Sequence, residues 1–363
     1  MGGDSLKYLV TTTLAATLAA GTAFAGGLER SNQSVAVLFE EGRYLEFGVS
    51  AVSPSVSGTL GVPSGDMLDS YLNFSAAYKA DLNDTWSYAI IFDQPYGADT
   101  SYPGGTPHPF SGSTASVKSN ALTGIMQYNM PNNVSVYGGL RAQTLQAEAV
   151  LPPIPGTYSI SSNTDFALGY LAGVAYEKPE IALRVALTYI SETSHDLDLT
   201  ESVGATVFPT NTEEVKLPQA VNLEFQSGVA EDTLVFGSVR WAEWSKTVID
   251  PPIYASSPAT SRPLVFFEDD RITYTLGVGR RLNDMWSVLG SVSYEESTGS
   301  VTGNLGPTDG FTSVSLGAIY RKDNMKVTGG IRYVDVGDAT TFSTATFTGN
   351  SAIAAGIKVG WTF

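Results

Sequence analysis

The chain has 363 residues, of which 43% are hydrophobic and only 15% are charged, with a net charge of −16 and no cysteine. The charged fraction is low for an ordinary soluble enzyme, which carries about 25% charged residues. The acidic net charge argues against a nucleic-acid partner, because binding to phosphates needs clustered Lys and Arg. The absence of cysteine excludes disulfides, thiol catalysis and zinc–thiolate sites. Beyond residue 26 no run reaches the roughly 18 apolar residues of a membrane-spanning helix, which excludes a helical membrane protein.

Residues 1–25 have the features of a signal peptide. A short polar region ends at Lys7, an apolar run covers residues 8–20, and Ala23-Phe24-Ala25 has the small-x-small pattern of a cleavage site. We predict cleavage after Ala25 and export to the cell envelope. An uncleaved membrane anchor is the alternative, but the apolar run is shorter than a span requires.

From residue 44 onward, apolar and polar residues alternate with a period of two, as Trp286, Val288, Val292 and Tyr294 do with the residues between them. This period is typical of β-strands. It predicts strands over 44–58, 70–81, 84–95, 114–130, 133–148, 160–177, 180–191, 213–228, 232–247, 269–282, 285–297, 311–321, 325–337 and 350–363. Six tight polar turns alternate with seven longer loops between these fourteen strands.

A soluble sandwich would also alternate, so the connection lengths decide the architecture. An even number of strands with short turns at one end and long loops at the other is typical of a transmembrane antiparallel β-barrel in the bacterial outer membrane. We therefore predict an all-β barrel over residues 44–363, with the short turns and both termini in the periplasm.

Aromatic residues near the short turns support the barrel. The set comprises Tyr78, Trp86, Tyr128, Tyr176, Trp286, Tyr320 and Trp361. Such rings concentrate where lipid tails meet water. The chain ends in an alternating strand closed by Phe363, which resembles the sorting signal read by the outer-membrane barrel assembly machinery. The expected surroundings are outer-membrane lipid and lipopolysaccharide.

The inward-facing positions carry charges of both signs. We single out Arg141, Arg184, Arg240 and Arg332 as candidate partners for a carboxylate ligand, because guanidinium groups bind carboxylates in a bidentate manner. The alternative, which is more common for a single residue, is a structural ion pair inside the barrel.

The long loops contain apolar runs at residues 152–155, 203–209, 251–254 and 263–267, and the last run includes Phe266 and Phe267. Exposed apolar residues normally mark a binding surface, so we predict ligand contacts there. The alternative is a lid in which the loops bury each other. The two interpretations are compatible.

Residues 26–43 precede the first strand and contain the apolar residues Val37, Leu38 and Phe39. A disordered tail is usually more polar. We therefore predict a short hatch that enters the lumen, with a disordered tail as the alternative.

Several motifs resemble the FadL-like family of outer-membrane transporters for long-chain fatty acids and other hydrophobic compounds. They are Leu217-Pro218-Gln219, the stretch 239–245 with Trp241 and Trp244, the stretch 270–279, the turn 283–286, the stretch 294–297 and Arg332-Tyr333. The resemblance implies fourteen strands, an N-terminal hatch, and passive uptake of hydrophobic molecules, foremost long-chain fatty acids, through an apolar lumen. The chain departs from the family in its short hatch, which lacks the Asn-Pro-Ala element, so the mode of gating stays open.

In the family, a distorted third strand opens the barrel wall sideways. The third predicted strand here runs into Asp93, Pro95 and Gly97, and a proline removes a donor from the strand ladder. These residues are candidates for a lateral opening. The alternative is the ordinary end of a strand.

Three rival functions stay open at this stage. A general diffusion porin would suit the mixed lumen charge, and a structural barrel or adhesin would act through its long loops. An outer-rim protease would use His195-Asp196 and Asp269-Asp270 to activate water. With only two histidines in the chain, we predict no metal site and no cofactor.

Overall fold

A closed antiparallel barrel dominates the computed structural model, which describes residues 28–258 and 260–363. The predicted signal peptide lies outside the described residues. Within them, fourteen barrel strands run along the chain. They are Tyr44–Ser55, Tyr71–Asp81, Trp86–Asp93, Thr114–Asn129, Val134–Leu151, Asp165–Lys178, Leu183–Ile190, Ala220–Ala230, Thr233–Ala242, Arg271–Arg281, Trp286–Glu295, Phe311–Lys322, Met325–Val336 and Asn350–Thr362.

The first and last strands pair with each other over their whole length, from Tyr44 opposite Thr362 to Ser55 opposite Ser351. This pairing closes the sheet, which hydrocarbon requires because it offers no hydrogen-bond partner to an open strand edge. The predicted fourteen-stranded barrel is thus confirmed. Among the described residues, no helix is both long enough and apolar enough to cross a membrane.

The outer end carries strands that the sequence pattern did not predict. Gly58–Leu60, Val62–Pro63, Ala339–Thr340 and Thr346–Phe347 form a small separate sheet, and Gly97–Ser101, Tyr158–Ser162, Thr193–Val203, Thr206–Val207 and Asn211–Leu217 extend the barrel wall. Short helical turns occur at Ala36–Phe39, Pro179–Ile181, Trp244–Lys246 and Pro252–Ala255. The predicted strand 213–228 is divided at Pro218, and its first part pairs with Thr193–Val203 instead of the barrel.

Side chains alternate between lipid and lumen as the period of two predicts. In the eleventh barrel strand Trp286 and Val292 are exposed on the outside, whereas Ser287 and Glu295 are buried inside. Near the short turns, the rings of Trp86 and Tyr128 lie 4.9 Å apart, and Trp286 and Tyr320 form an equivalent pair. These rings form an aromatic girdle at one boundary of the membrane.

The third barrel strand is interrupted. It runs as Trp86–Asp93, breaks at residues 94–96, and resumes as Gly97–Ser101. Both parts pair with the fourth strand, but the ladder to the second strand covers only Ala76–Asp81. Beyond that ladder, the amide of Phe74 donates to the side-chain oxygen of Gln94 at 2.8 Å. The wall therefore has a local gap between the second and third strands.

Residues 28–43 run inside the barrel. At the outer end, Glu29 forms an isolated antiparallel bridge with Tyr96, next to the interruption of the third strand. The short helix that follows buries Val37 and Leu38, and the ring of Phe39 packs edge-on against Tyr137 at 6.4 Å. At the inner end Glu40 pairs with Lys326 at 2.5 Å.

Two neighbouring glycines test the register of the wall. A Cβ at Gly139, which faces the lumen, would press on the backbone carbonyl of Gly124, whereas a Cβ at Gly124 would meet nothing. We expect Gly139→Ala to destabilise the folded barrel by about 1–3 kcal/mol, as overpacking does, and the control Gly124→Ala to have little effect. Urea unfolding in detergent micelles measures the free energy of unfolding of both variants. Equal values would contradict the assignment of Gly139 to the lumen face and Gly124 to the lipid face.

Candidate functional site

Two cavities lie one above the other in the barrel. The outer cavity, of about 100 Å³, is bounded by the loop 263–267, the loop 303–308 and the resumed third strand. The inner cavity, of about 230 Å³, lies between the N-terminal segment and the lumen wall. Both cavities adjoin the gap in the wall, since Gly97 lines the outer one and Phe74 and Asp93 line the inner one.

The outer cavity has mainly apolar walls. Phe266 and Phe267, the predicted ligand-binding aromatics, both line it, together with Leu28, Leu68 and Leu305. Its polar lining residues include Arg30, Asp69, Asp99, Thr100 and Thr308. A small apolar pocket with a few convergent polar groups is the usual form of a site for a hydrophobic ligand.

The inner cavity brings together all four predicted arginines, Arg141, Arg184, Arg240 and Arg332. Phe266 and Phe267 do not line this cavity, so the predicted site residues fall into two neighbouring groups. The predicted hatch residue Val37 also lines the inner cavity. Leu38 and Phe39 pack into the hydrophobic cluster beside it.

Arg240 is committed to the N-terminal segment. Its guanidinium binds the carboxylate of Glu29 at 2.5–3.1 Å and donates to Asn222 at 2.7 Å. Both charged side chains are almost fully buried, at 6% and 3% exposure. Because a buried ion pair is costly to separate, this contact anchors the segment and leaves Arg240 a poor candidate for a ligand carboxylate.

Arg141 is less fully occupied. It donates to Gln33 at 2.5 Å, and the nearest carboxylate contact is Asp93 at 3.8 Å. Its Nε and Nη2 are buried without a hydrogen-bond partner. Such unpaired donors beside a cavity favour an additional acceptor, such as a ligand carboxylate.

The other two arginines are placed against aromatic rings. Arg184 lies 4.5 Å from the centre of the Phe39 ring and donates to Gln226. Arg332 lies 5.2 Å from the centre of the Phe311 ring and donates to Ser313 at 3.0 Å. Cation–π contacts thus accompany the hydrogen bonds of both guanidinium groups beside the inner cavity.

The candidate residues for a lateral opening lie at the interruption of the third strand. Asp93 ends the first part and accepts a hydrogen bond from Ser31 at 2.7 Å. The carbonyl of Pro95 accepts from the amide of Arg30, and the amide of Gly97 donates to the carbonyl of Leu28, both at 2.8 Å. Arg30 was not among the predicted site residues, although the charged pair Glu29-Arg30, the only charges between residues 26 and 39, could have drawn attention to it.

The residues of the rival protease site are not assembled. His195 is fully buried and pairs with Asp165 at 3.1 Å, whereas Asp270 accepts from Trp241 and Ser245. Hydrogen bonding by Ser300 holds the pKa of Asp269 below its ordinary value against the effect of burial, which makes it a weaker base. Within the described residues no cluster of three or more His, Asp or Glu could hold a metal ion.

The Glu29–Arg240 pair generates a prediction about the N-terminal segment. Glu29→Gln leaves a buried guanidinium without its carboxylate partner, so we expect it to weaken the docking of the N-terminal segment in the barrel by about 3–5 kcal/mol. Because proteolysis tracks local opening, trypsin should then cleave after Arg30 at least about tenfold faster. The double variant Glu29→Gln/Arg240→Met should recover much of the protection.

The matched control is Glu268→Gln, which breaks the exposed pair with Arg262 and should change stability by less than about 1 kcal/mol. Cleavage after Arg30 at the same rate in Glu29→Gln and in the unmodified chain would show that the pair does not anchor the segment.

The comparisons with known proteins agree with this architecture. The family model described as outer membrane protein transport protein (OMPP1/FadL/TodX) matches residues 47–358. A FadL homologue from Pseudomonas aeruginosa has a similar crystal structure, with a TM-score of 0.72 and 14% identity, covering 96% of this chain and 98% of the homologue. None of the curated proteins gives a significant match.

Two structures of toluene transporters are also similar. TodX from Pseudomonas putida has a TM-score of 0.64 at 13% identity, covering 94% of this chain and 96% of TodX. TbuX from Ralstonia pickettii has a TM-score of 0.62 at 14% identity, covering 89% and 90%. At such identities these structures establish the fold. Because the family model spans most of the chain, the protein belongs to the FadL/TodX family of outer-membrane β-barrels that transport hydrophobic compounds.

Proposed function

We propose that the protein takes up hydrophobic molecules with a carboxylate head, foremost long-chain fatty acids, by passive diffusion across the outer membrane. One observation carries the proposal: an apolar outer cavity lies directly above an inner cavity that is lined by five arginines, and both cavities adjoin the gap in the wall. An amphiphile could place its chain against Phe266 and Phe267 and its head near Arg141.

The apolar outer loops supply the capture step. A cavity walled by leucine and phenylalanine side chains removes apolar surface from water, which stabilises a bound hydrocarbon by about 25 cal/mol per Å² of buried area. The polar, charged layer of lipopolysaccharide opposes the entry of such molecules into the membrane. A protein path that shields the hydrocarbon from this layer lowers the barrier without an energy source.

The N-terminal segment acts as the hatch in this proposal. It is held by ion pairs at both ends, Glu29 with Arg240 and Glu40 with Lys326. In the inner half of the lumen, Lys358 also pairs with Glu46 at 3.1 Å. A hydrocarbon moving straight to the periplasm would have to separate such buried pairs, and each separation costs several kcal/mol.

The gap in the wall offers a route with less resistance. Between the second and third strands the backbone is bridged by the Gln94 side chain, in place of a continuous ladder. The outward-facing side of this region presents Leu72 and Phe74 to lipid. We therefore propose lateral release into the membrane, past Asp93, Pro95 and Gly97, for a ligand that has reached the inner cavity.

Oleate binding tests the role of Arg141. Removing a charged hydrogen-bond donor costs about 1.5–3 kcal/mol, so we expect Arg141→Ala to weaken oleate binding to the purified protein about tenfold to a hundredfold. Binding of the uncharged hydrocarbon octadecane should not change. The control is Arg280→Ala, because Arg280 is exposed and lies outside both cavities. Equal oleate affinities for both variants would remove Arg141 from the proposal.

Planar-bilayer recordings separate this function from a general diffusion porin, for which the comparisons give no support. A lumen occupied by the N-terminal segment and its ion pairs should pass few ions, so we expect a small conductance or none. A variant lacking residues 28–41 should conduct more. A large, steady conductance of the intact chain would contradict the proposal and favour the porin.

A further inference from the structure

We propose that the side chain of Arg30 is the partition between the two cavities, and that its ion pair with Asp99 is the latch that keeps the outer cavity closed from the inner one. The inference deepens the proposed function and rests on it, because it assigns the gating step to one residue. Among the described residues, Arg30 alone lines both cavities.

Two contacts hold the guanidinium of Arg30 in place, and a glycine leaves room for it. The guanidinium binds the carboxylate of Asp99 at 2.7 Å and lies 3.9 Å from the centre of the Tyr71 ring. The absence of a side chain at Gly97 makes room for it, because a Cβ there would lie 2.6 Å from the Arg30 Nε. The side chain therefore spans the space between the second strand and the resumed third strand.

The backbone of Arg30 is fixed independently of its side chain. Its amide donates to the carbonyl of Pro95 and its carbonyl accepts from the Asn73 side chain, both at 2.8 Å. These bonds attach residue 30 to both sides of the gap in the wall. The guanidinium can therefore move while the backbone stays docked.

Adjacent residues on the segment have different roles. The Glu29–Arg240 pair is 3% and 6% exposed, whereas the Arg30 and Asp99 side chains are 11% and 27% exposed. Because a better solvated pair separates more easily, the Arg30 pair can open while the Glu29 pair holds the segment. Within the described residues, the Nε of Arg30 has no hydrogen-bond partner, and Asp99 is the one side chain that forms an ion pair with this guanidinium.

Cysteine accessibility tests the partition directly, because the chain contains no cysteine. Ser291→Cys places one thiol in the lining of the inner cavity, and a membrane-impermeant methanethiosulfonate reagent is added outside intact cells. We expect this thiol to react slowly when Arg30 is present and at least about tenfold faster when Arg30→Ala is added. Asp99→Asn should also accelerate the reaction, because the side chain stays but the latch is lost.

Two further substitutions separate charge from bulk. Arg30→Met keeps most of the length of the side chain without its charge. If the ion pair is the latch, the Ser291→Cys thiol should react as fast in the Arg30→Met background as in the Asp99→Asn background. Gly97→Ala displaces the guanidinium by steric contact and should give an intermediate rate. Slow modification in Arg30→Met alongside fast modification in Arg30→Ala would show that bulk alone closes the passage, and it would overturn the latch.

The controls fix the baseline and the fold. Ser256→Cys, on an exposed outer loop, should be modified quickly in every background. Arg280→Ala, which removes an exposed arginine that lines neither cavity, should leave the Ser291→Cys rate unchanged. Heat-modifiable migration on gels reports the folded barrel. Equal Ser291→Cys rates with Arg30 and with Arg30→Ala would overturn the partition.

Oleate uptake by the same cells is a separate measurement. Faster modification in Arg30→Ala without any oleate uptake would support the partition while contradicting the fatty-acid substrate. Oleate uptake by the chain with Arg30, together with equal Ser291→Cys reaction rates for Arg30 and Arg30→Ala, would support the transport function and discard Arg30 as its gate.

Discussion

The need to satisfy every backbone hydrogen bond inside a membrane governs this structure. Hydrocarbon offers no partner to an exposed amide or carbonyl, so the sheet closes through the pairing of its first and last strands. The same requirement makes the interruption of the third strand informative. The chain satisfies Pro95 and Gly97 from inside, through the amide of Arg30 and the carbonyl of Leu28, so the wall at this point depends on the N-terminal segment.

The charges of the lumen follow from that dependence. A segment of about sixteen residues cannot bury enough apolar surface to dock firmly by itself, because small units lack a sufficient core. Ion pairs at Glu29 and Glu40 supply additional, position-specific contacts. Buried pairs contribute less to net stability than their number implies, but breaking one is costly. They suit a segment that must hold one position until a specific contact changes.

Much of the fold was predictable because the lipid imposes a simple rule on the sequence. Every second residue faces hydrocarbon, so alternation placed Trp286 and Val292 outside and Ser287 and Glu295 inside, as the structure has them. At the outer end the alternation continues but neither face is uniformly apolar, as in Thr193–Val203, whose buried positions include His195 and Glu201. The pattern therefore did not predict this strand, which pairs with Tyr158–Ser162 and Asn211–Leu217.

The site was predictable only in part, for a related reason. Inward register placed Arg141 and Arg240 in the lumen but could not distinguish them, because their difference depends on which residue of the N-terminal segment lies opposite each one. That segment lacks strand periodicity, so sequence alone does not fix its height in the barrel. Arg30 was missed for the same reason, since its role depends on meeting the third strand where that strand breaks.

The position of the interruption relates the wall to the cavities. A break near either rim would open only onto water or onto the ion pairs of the inner lumen, and a hydrophobic molecule would gain nothing from it. This break lies at the height where an apolar cavity meets a charged one. An amphiphile there can keep its head near fixed arginines while its hydrocarbon chain enters lipid, so neither part has to be exposed to an unfavourable environment. Under the proposed function, this geometry is suited to ligands with one polar end and not to fully polar solutes, whose hydration lipid cannot replace.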